Sequence, residues 1–278
     1  MSDWKAQAEA WWETSIIDMA PGRIAFHGRP VEELIGTLSF VEMIWLMLRG
    51  DVPAHDQARL LESALVASVD HGPQAPSVAI TRMAATCGVG INSALASGIN
   101  ALGDVHGGAG EQAALLYARI IAEQDGNGGN VARAAGAIMD QDAAAGRPHV
   151  PGFGHRFHDV DPRAVRLMEL VEQAVEAGTV PGRHAGAALA IAAEIERRKG
   201  RPIPMNIDGA TAVIFCELGF PPTLCRGLFI LSRSVGLLAH GFEQMQRGER
   251  NKGPLPRDAL WKYTGKPNAA AGGGETSS

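Results

Sequence analysis

Apolar residues recur every three to four positions through most of this chain, and glycine or proline interrupts each run. Phe40, Met43, Ile44, Leu46, Met47 and Leu48 form one stripe over 39–49, which stops at Gly50. Leu60, Leu61, Ala64, Leu65 and Val69 form another over 55–70, which ends before Gly72-Pro73. This spacing is that of one buried helix face. Residues 76–87 and 91–102 read as helices of small residues, with Gly98 and Gly103 allowing close contact. Helices are also predicted over 109–123, 131–145, 184–199, 207–218 and 222–247. Asp161-Pro162 opens one more, with an acid at the cap and Pro at the first position, running to about Ala177. Residues 125–130 read as a loop and 146–156 as irregular. Strand signal is confined to Arg23-Ile24-Ala25-Phe26, a hairpin turning at His27-Gly28-Arg29-Pro30. The pattern predicts an all-α protein without internal repeats. Its Gly/Ala/Ser-rich end, 266–278, reads as a disordered tail.

The length of 278 residues suggests two domain-sized units and is ample for a large core. A hydrophobic fraction of 46% against 20% charged residues excludes a disordered chain. With 25 basic and 30 acidic residues the net charge is -5, which argues against a general nucleic-acid or acidic-membrane surface. The three cysteines, Cys87, Cys216 and Cys225, form no CxxC pair and suggest reduced thiols in a cytoplasmic protein. No basic segment leads into an apolar run at Met1–Ala6, so no signal peptide is expected. The most apolar stretch, 222–246, is interrupted by Arg226, Arg233 and His240, which argues against a membrane span of ~20 apolar residues.

Four polar spots fall at helix ends or in glycine-bounded loops. They are Asp70-His71-Gly72, Asp104-Val105-His106-Gly107-Gly108, Gly152-Phe153-Gly154-His155-Arg156 and Asn206-Ile207-Asp208-Gly209. Glycine beside histidine lets a substrate or a backbone approach closely. A helix beginning after His106 or near Asp208 offers free N–H groups to an anion. Each spot alone fits a capping or surface role, and Asp208 could be an N-cap; their repetition at the same kind of junction favours a site. Arg226, Arg233 and His240 lie seven apart, near one stripe of a helix that reads as too apolar for the surface. A buried arginine needs an acidic partner. Arg233 is therefore either half of a structural ion pair or a clamp for the carboxylate of a small substrate, with Arg163 a candidate second clamp. Three histidines and an acid could also hold a metal, but no HxxxH or CxxC pair accompanies them. Neither a GxSxG elbow nor a GxxxxGK[ST] loop is present, which disfavours a serine hydrolase and ATP use.

These segments, taken in order, resemble the citrate synthase superfamily from about Thr14 to Gly265. Ser39-Phe40-Val41-Glu42 and Leu48-Arg49-Gly50-Asp51-Val52-Pro53 look like its N-terminal portion. Asp70-His71-Gly72, His106-Gly107-Gly108-Ala109, Pro151–Arg156, Asp161-Pro162-Arg163, Asn206–Gly209 and Ser232–Gly236 look like its active-site segments. Asp70-His71-Gly72-Pro73 and Asn206-Ile207-Asp208-Gly209-Ala210 are most similar to the citryl-CoA lyase branch, the C-terminal module of ATP citrate lyase. His106 matches the synthases instead, where that module carries an aromatic residue, so the direction of reaction stays open.

The resemblance implies a helical subunit of a homodimer or higher homo-oligomer. A large domain would comprise 1–107 and 221–278, and a small domain 108–220, with a cleft between them that closes on substrate. It implies that Asp208 moves the α-proton of an acyl-CoA, that His106 donates to the thioester oxygen, and that His155 exchanges a proton with the hydroxyl or ketone of a four-carbon acid. His71, Arg163 and Arg233 would hold carboxylates. Arg257, or its rival Arg250, would reach a neighbouring subunit's site. CoA would lie along Gly152, Phe153, Gly154 and Arg156, with Arg156 near phosphate. CoA enters as part of a substrate, and no metal or redox cofactor is implied. Three functions remain: a citryl-CoA lyase giving acetyl-CoA and oxaloacetate, a citrate synthase-type condensing enzyme, and a non-catalytic CoA- or citrate-binding scaffold.

Overall fold

The computed structural model describes residues 3–126, 128–156, 158–256 and 258–266. Helices dominate, as the periodicity predicts. They are α1 (Asp3–Trp11), α2 (Val31–Leu34), α3 (Phe40–Arg49), α4 (His55–Ala67), α5 (Pro76–Thr86), α6 (Ile91–Asn100), α7 (Ala109–Gly126), α8 (Val131–Ala144), α9 (Pro162–Glu176), α10 (Arg183–Lys199), α11 (Ile207–Glu217) and α12 (Pro222–Gln246). Local chemistry sets several of their starts. Ser39 and Glu42 form a reciprocal capping box on α3, and the Asn130 side chain caps α8. The expected hairpin is one half of a three-stranded antiparallel sheet of β1 (Ile17–Ala20), β2 (Arg23–Phe26) and β3 (Arg29–Pro30). Residues 29–30, read as turn, instead pair with β2, and the chain reverses through His27 and Gly28. β1 is short, with all four residues exposed, and lacks the inward-facing alternation that marks a strand.

One apolar core joins α3 and α4 to α7 through α11 and the first half of α12. At its centre α11 is buried on every side from Gly209 to Glu217. A smaller core forms where α5 and α6 pack on α12, around Ala75, Val78 and Leu237. Not all of α12 is interior, contrary to the expectation from its composition. Leu231, Val235, Leu238 and Phe242 line an outer stripe and are 45–58% exposed. Among the described residues no single helix is long and apolar enough to cross a membrane. The tail residues 267–278 lie outside the described residues.

Candidate active site

The N-terminus of α11 organises the site. Asn206 is its cap: Oδ1 accepts from the amides of Asp208 (3.0 Å) and Gly209 (3.2 Å). Asp208 is therefore not the N-cap, and its carboxyl is left for other work. Burial raises the Asp208 pKa from the ordinary carboxyl value, and the charges of Arg233 and Arg163 only partly oppose this.

Asp161 ties this helix start to the next. Its buried carboxylate accepts from Ile207 N (3.1 Å) and from Arg163 N (3.1 Å), while Arg163 Nε (3.0 Å) and Nη2 (2.9 Å) donate to it bidentately. Arg163, expected as a second clamp, is thus braced by Asp161, with Nη1 outside the pair. Burial of Asp161 is outweighed by these bonds, and its pKa is lowered.

The 152–154 turn is laced to the strand-like approach to α11. Asn206 N donates to Gly152 O (2.9 Å), Gly154 N to Pro204 O (2.8 Å) and Asn206 Nδ2 to Gly154 O (2.7 Å). Gly152 and Gly209 cross here without side chains. A Cβ on Gly152 would stand 2.8 Å from Gly209 Cα, and one on Gly209 would stand 2.5 Å from Gly152 O. The turn carries His155 toward Asp208. His158 N donates to His155 Nδ1 (3.2 Å), so the neutral ring carries its proton on Nε2. The His155 ring meets His71 edge-on with centroids 5.4 Å apart and lies 4.7 Å from His158. Burial, then the charges of His158 and Arg163, lowers its pKa against the pull of Asp161 and Asp208.

His106 is fixed in the opposite tautomer. Ser77 N, in the first turn of α5, donates to His106 Nε2 (3.2 Å), with Ser77 Oγ at 3.0 Å. The ring proton then sits on Nδ1. Burial and the charge of Arg233 lower its pKa. His71 is lowered too, by burial and then by Arg163, His155 and Arg233.

Arg233 is 6% exposed. Its Nε donates to Ser68 O (3.2 Å) at the end of α4, and its guanidinium lies 4.9 Å from the Phe229 ring centroid. Among the described residues no carboxylate comes within ion-pair distance; Asp70 and Asp208 are the acids whose charge it feels. Burial lowers its pKa. Arg226 and His240, on the same helix, are placed elsewhere. Arg226 pairs with Asp104 and Glu111, and His240 with Asp70. Arg156 is exposed, and Arg257 lies outside the described residues. Its rival Arg250 lines an open groove between the C-terminal ends of α5 and α12.

The site is thus one acid with a raised pKa, two neutral imidazoles set as donors, and a buried guanidinium with no acid bound to it. Residues 54–257 match the family described as citrate synthase, C-terminal domain. The chain belongs to the citrate synthase superfamily. A citrate synthase of Acidithiobacillus ferridurans is 28% identical over 215 residues, which are 75% of this chain and 52% of that protein. Citryl-CoA lyase from Hydrogenobacter thermophilus superposes with a TM-score of 0.81 at 32% identity, covering 92% of this chain and 96% of that one. ATP citrate lyase from Methanothrix soehngenii, in complex with citrate and coenzyme A, superposes at 0.76 and 22% identity, a likeness of fold. The chain spans about half the length, or less, of the curated relatives it matches.

Within this superfamily fold a cavity of about 400 Å³ opens beside Phe153 and Val150, lined also by His149, Lys199, Arg147 paired with Asp142, and Arg198 paired with Asp140 and Glu194. Sequence reasoning missed Ser77 and the second task of Asp161. Asp161 announces itself only as a cap, and its bond to Ile207, 46 residues away, has no local signature. Nothing in the sequence ties Ser77 to His106.

Proposed function

We propose that this protein cleaves citryl-CoA, or a related 3-hydroxyacyl-CoA, to acetyl-CoA and oxaloacetate. The observation that carries the reading is the raised pKa of Asp208 at the head of α11, together with His106 held as an N–H donor. Likeness to a citryl-CoA lyase over nearly the whole of both chains favours cleavage.

Breaking a carbon–carbon bond next to a thioester passes through an enolate, so the site must stabilise an oxyanion and then protonate carbon. Protonated Asp208 is the acid that quenches the enolate carbon, and burial keeps its proton available. His106 donates through Nδ1–H to the thioester oxygen, and a donor fixed before charge develops there is worth roughly 3 kcal/mol. His155 takes the hydroxyl proton on Nε2 as oxaloacetate departs. That step needs the Nδ1–H tautomer, so the His158 amide releases Nδ1 as it occurs. His71, Arg233 and Arg163 Nη1 hold the carboxylates. Each turnover leaves His155 protonated and Asp208 ionised, and exchange with solvent resets both.

CoA runs along Gly152, Phe153, Gly154 and Arg156, a turn whose main chain residues 204–206 hold rigid. At the cavity beside Phe153, His149 and Lys199 are the groups offered to the nucleotide end. The 108–220 segment closes on the rest of the subunit to exclude water. The active form is a homodimer or larger homo-oligomer in the cytoplasm, its contact covering the apolar stripe of α12, with Arg257 or Arg250 completing a neighbouring site.

One observation favours a second reading. The resting Nε2–H of His155 suits a ketone better than a hydroxyl, as in condensation of acetyl-CoA with oxaloacetate followed by thioester hydrolysis. The test is to incubate the protein with citryl-CoA, and separately with acetyl-CoA plus oxaloacetate, following products by mass. The lyase reading expects acetyl-CoA and oxaloacetate from the first, and no free citrate from the second. Citrate and free CoA in the second incubation would establish the synthase reading, and no turnover in either would leave a binding scaffold.

A further inference from the structure

His240 sits seven residues from Arg233 on α12, yet the reaction above does not use it. Its two ring nitrogens are both engaged. Arg82 Nη1, from α5, donates to Nδ1 (3.0 Å), which leaves the ring proton on Nε2. Nε2 in turn lies 3.2 Å from Asp70 Oδ1. Asp70 spends its other oxygen on the amide of Gly72 (3.0 Å), closing the loop that carries His71. Arg82 is itself held by Glu243, one turn further along α12. The loop also meets α12 directly, because a Cβ on Gly236 would overlap the carbonyl oxygen of Val69 and come 3.3 Å from Asp70 Cβ. Bare backbone at Gly236 thus admits the loop, and the Arg82–His240–Asp70 chain orients it.

The consequence falls on substrate. Asp70 is the leading acid in the field of Arg233, and its neighbour His71 faces His155. An Asp70 released from His240 can swing toward the Arg233 guanidinium and compete for the place of a substrate carboxylate. We propose that His240, oriented by Arg82, is a positioning residue that holds Asp70 away from Arg233 and fixes His71, so that both can receive the four-carbon acid. This rests on the carboxylate-clamp role of Arg233 and His71 in the proposed function.

The test is calorimetry of oxaloacetate and of CoA, separately, with the full chain. His240→Phe fills the site without a donor or acceptor; oxaloacetate affinity is expected to fall about tenfold, as for loss of a hydrogen bond to a charged group, with CoA affinity unchanged. His240→Gln restores a donor toward Asp70 and is expected to stay within about threefold of wild type. Arg82→Met removes the group that sets the tautomer and is expected to weaken oxaloacetate alone. Wild-type oxaloacetate affinity in His240→Phe overturns the proposal, as does equal loss of both ligands. If His240→Phe does not fold, Arg82→Met decides, and wild-type affinity there overturns it. Nitrogen shifts of the His240 ring add a readout independent of substrate: a proton on Nδ1 rather than Nε2 breaks the chain. Loss of oxaloacetate binding in Arg233→Ala with none in His240→Phe would sink this inference and leave the proposed function standing.

Discussion

Replacing Asp208 by Asn removes an ionisable group from a place where burial opposes its charge. The folded-state pKa lies above the ordinary 3.8, so the group favours folding below that value and disfavours it as pH rises through the folded pKa. At pH 7 this group therefore costs the native state stability, because burial opposes the ionisation that the unfolded chain allows. Asp208→Asn is expected to unfold at a temperature about 1–4 °C higher at pH 7, a gain that shrinks as pH falls toward 4. A lower Tm at pH 7, measured by calorimetry, would show that the carboxylate is structural. Arg233 makes the complementary case. Arg233→Ala deletes a buried guanidinium that has no ion-pair partner among the described residues, so oxaloacetate affinity should drop by on the order of 2–5 kcal/mol while CoA binds as before. Unchanged oxaloacetate affinity in the folded variant would remove it from the site. At this scale the sequence displays the residue types: Arg233 is a charge in an apolar run, and Asp208 an acid at a helix start. It does not display what Asp161 or Ser77 does, because each acts across long stretches of chain on a group of another type.

The helices from α3 onward are legible because a 3.6-residue stripe ends at glycine or proline in nearly every one. α1 is not, since Trp4, Trp11, Lys5, Gln7 and Glu9 all face solvent and define no buried stripe. The start of α10 is legible to within one residue, but what caps it is not. Gly182 there has no side chain to cap with, and the buried carboxylate of Glu217 takes the amides of Gly182 (2.9 Å), His184 (2.6 Å) and Ala185 (3.0 Å) from the far end of α11. Glu217→Ala orphans all three amides in the core and should destabilise the fold by ~2–4 kcal/mol. Urea unfolding would read this as a lower midpoint at constant slope, and a loss under about 0.5 kcal/mol would mean water replaces the cap. Because α11 carries Asp208 at its other end, the same bonds fix the axis along which that carboxyl is presented.

Across the whole molecule four histidines, His71, His106, His155 and His184, are held below the ordinary value of 6.5, each chiefly by burial. The unfolded chain takes up protons near pH 6.5 that the folded protein refuses until lower pH. The stability they leave intact above 6.5 is lost as pH falls through their folded values. Tm should therefore decline between pH 7 and 5, ahead of the carboxylates, and a flat Tm over that interval would contradict these assignments.

The central claim is that Asp208 moves the α-proton of a CoA thioester. It is tested most directly in deuterated water, with acetyl-CoA and an unreactive oxaloacetate analogue, by following deuterium in the acetyl methyl group by mass. This readout does not depend on which direction the reaction runs. Wild-type protein should exchange the methyl protons, and Asp208→Asn, folded and with Asn206 still capping α11, should slow exchange by ~10²–10⁴. Equal exchange in the two proteins would show that another group is the base.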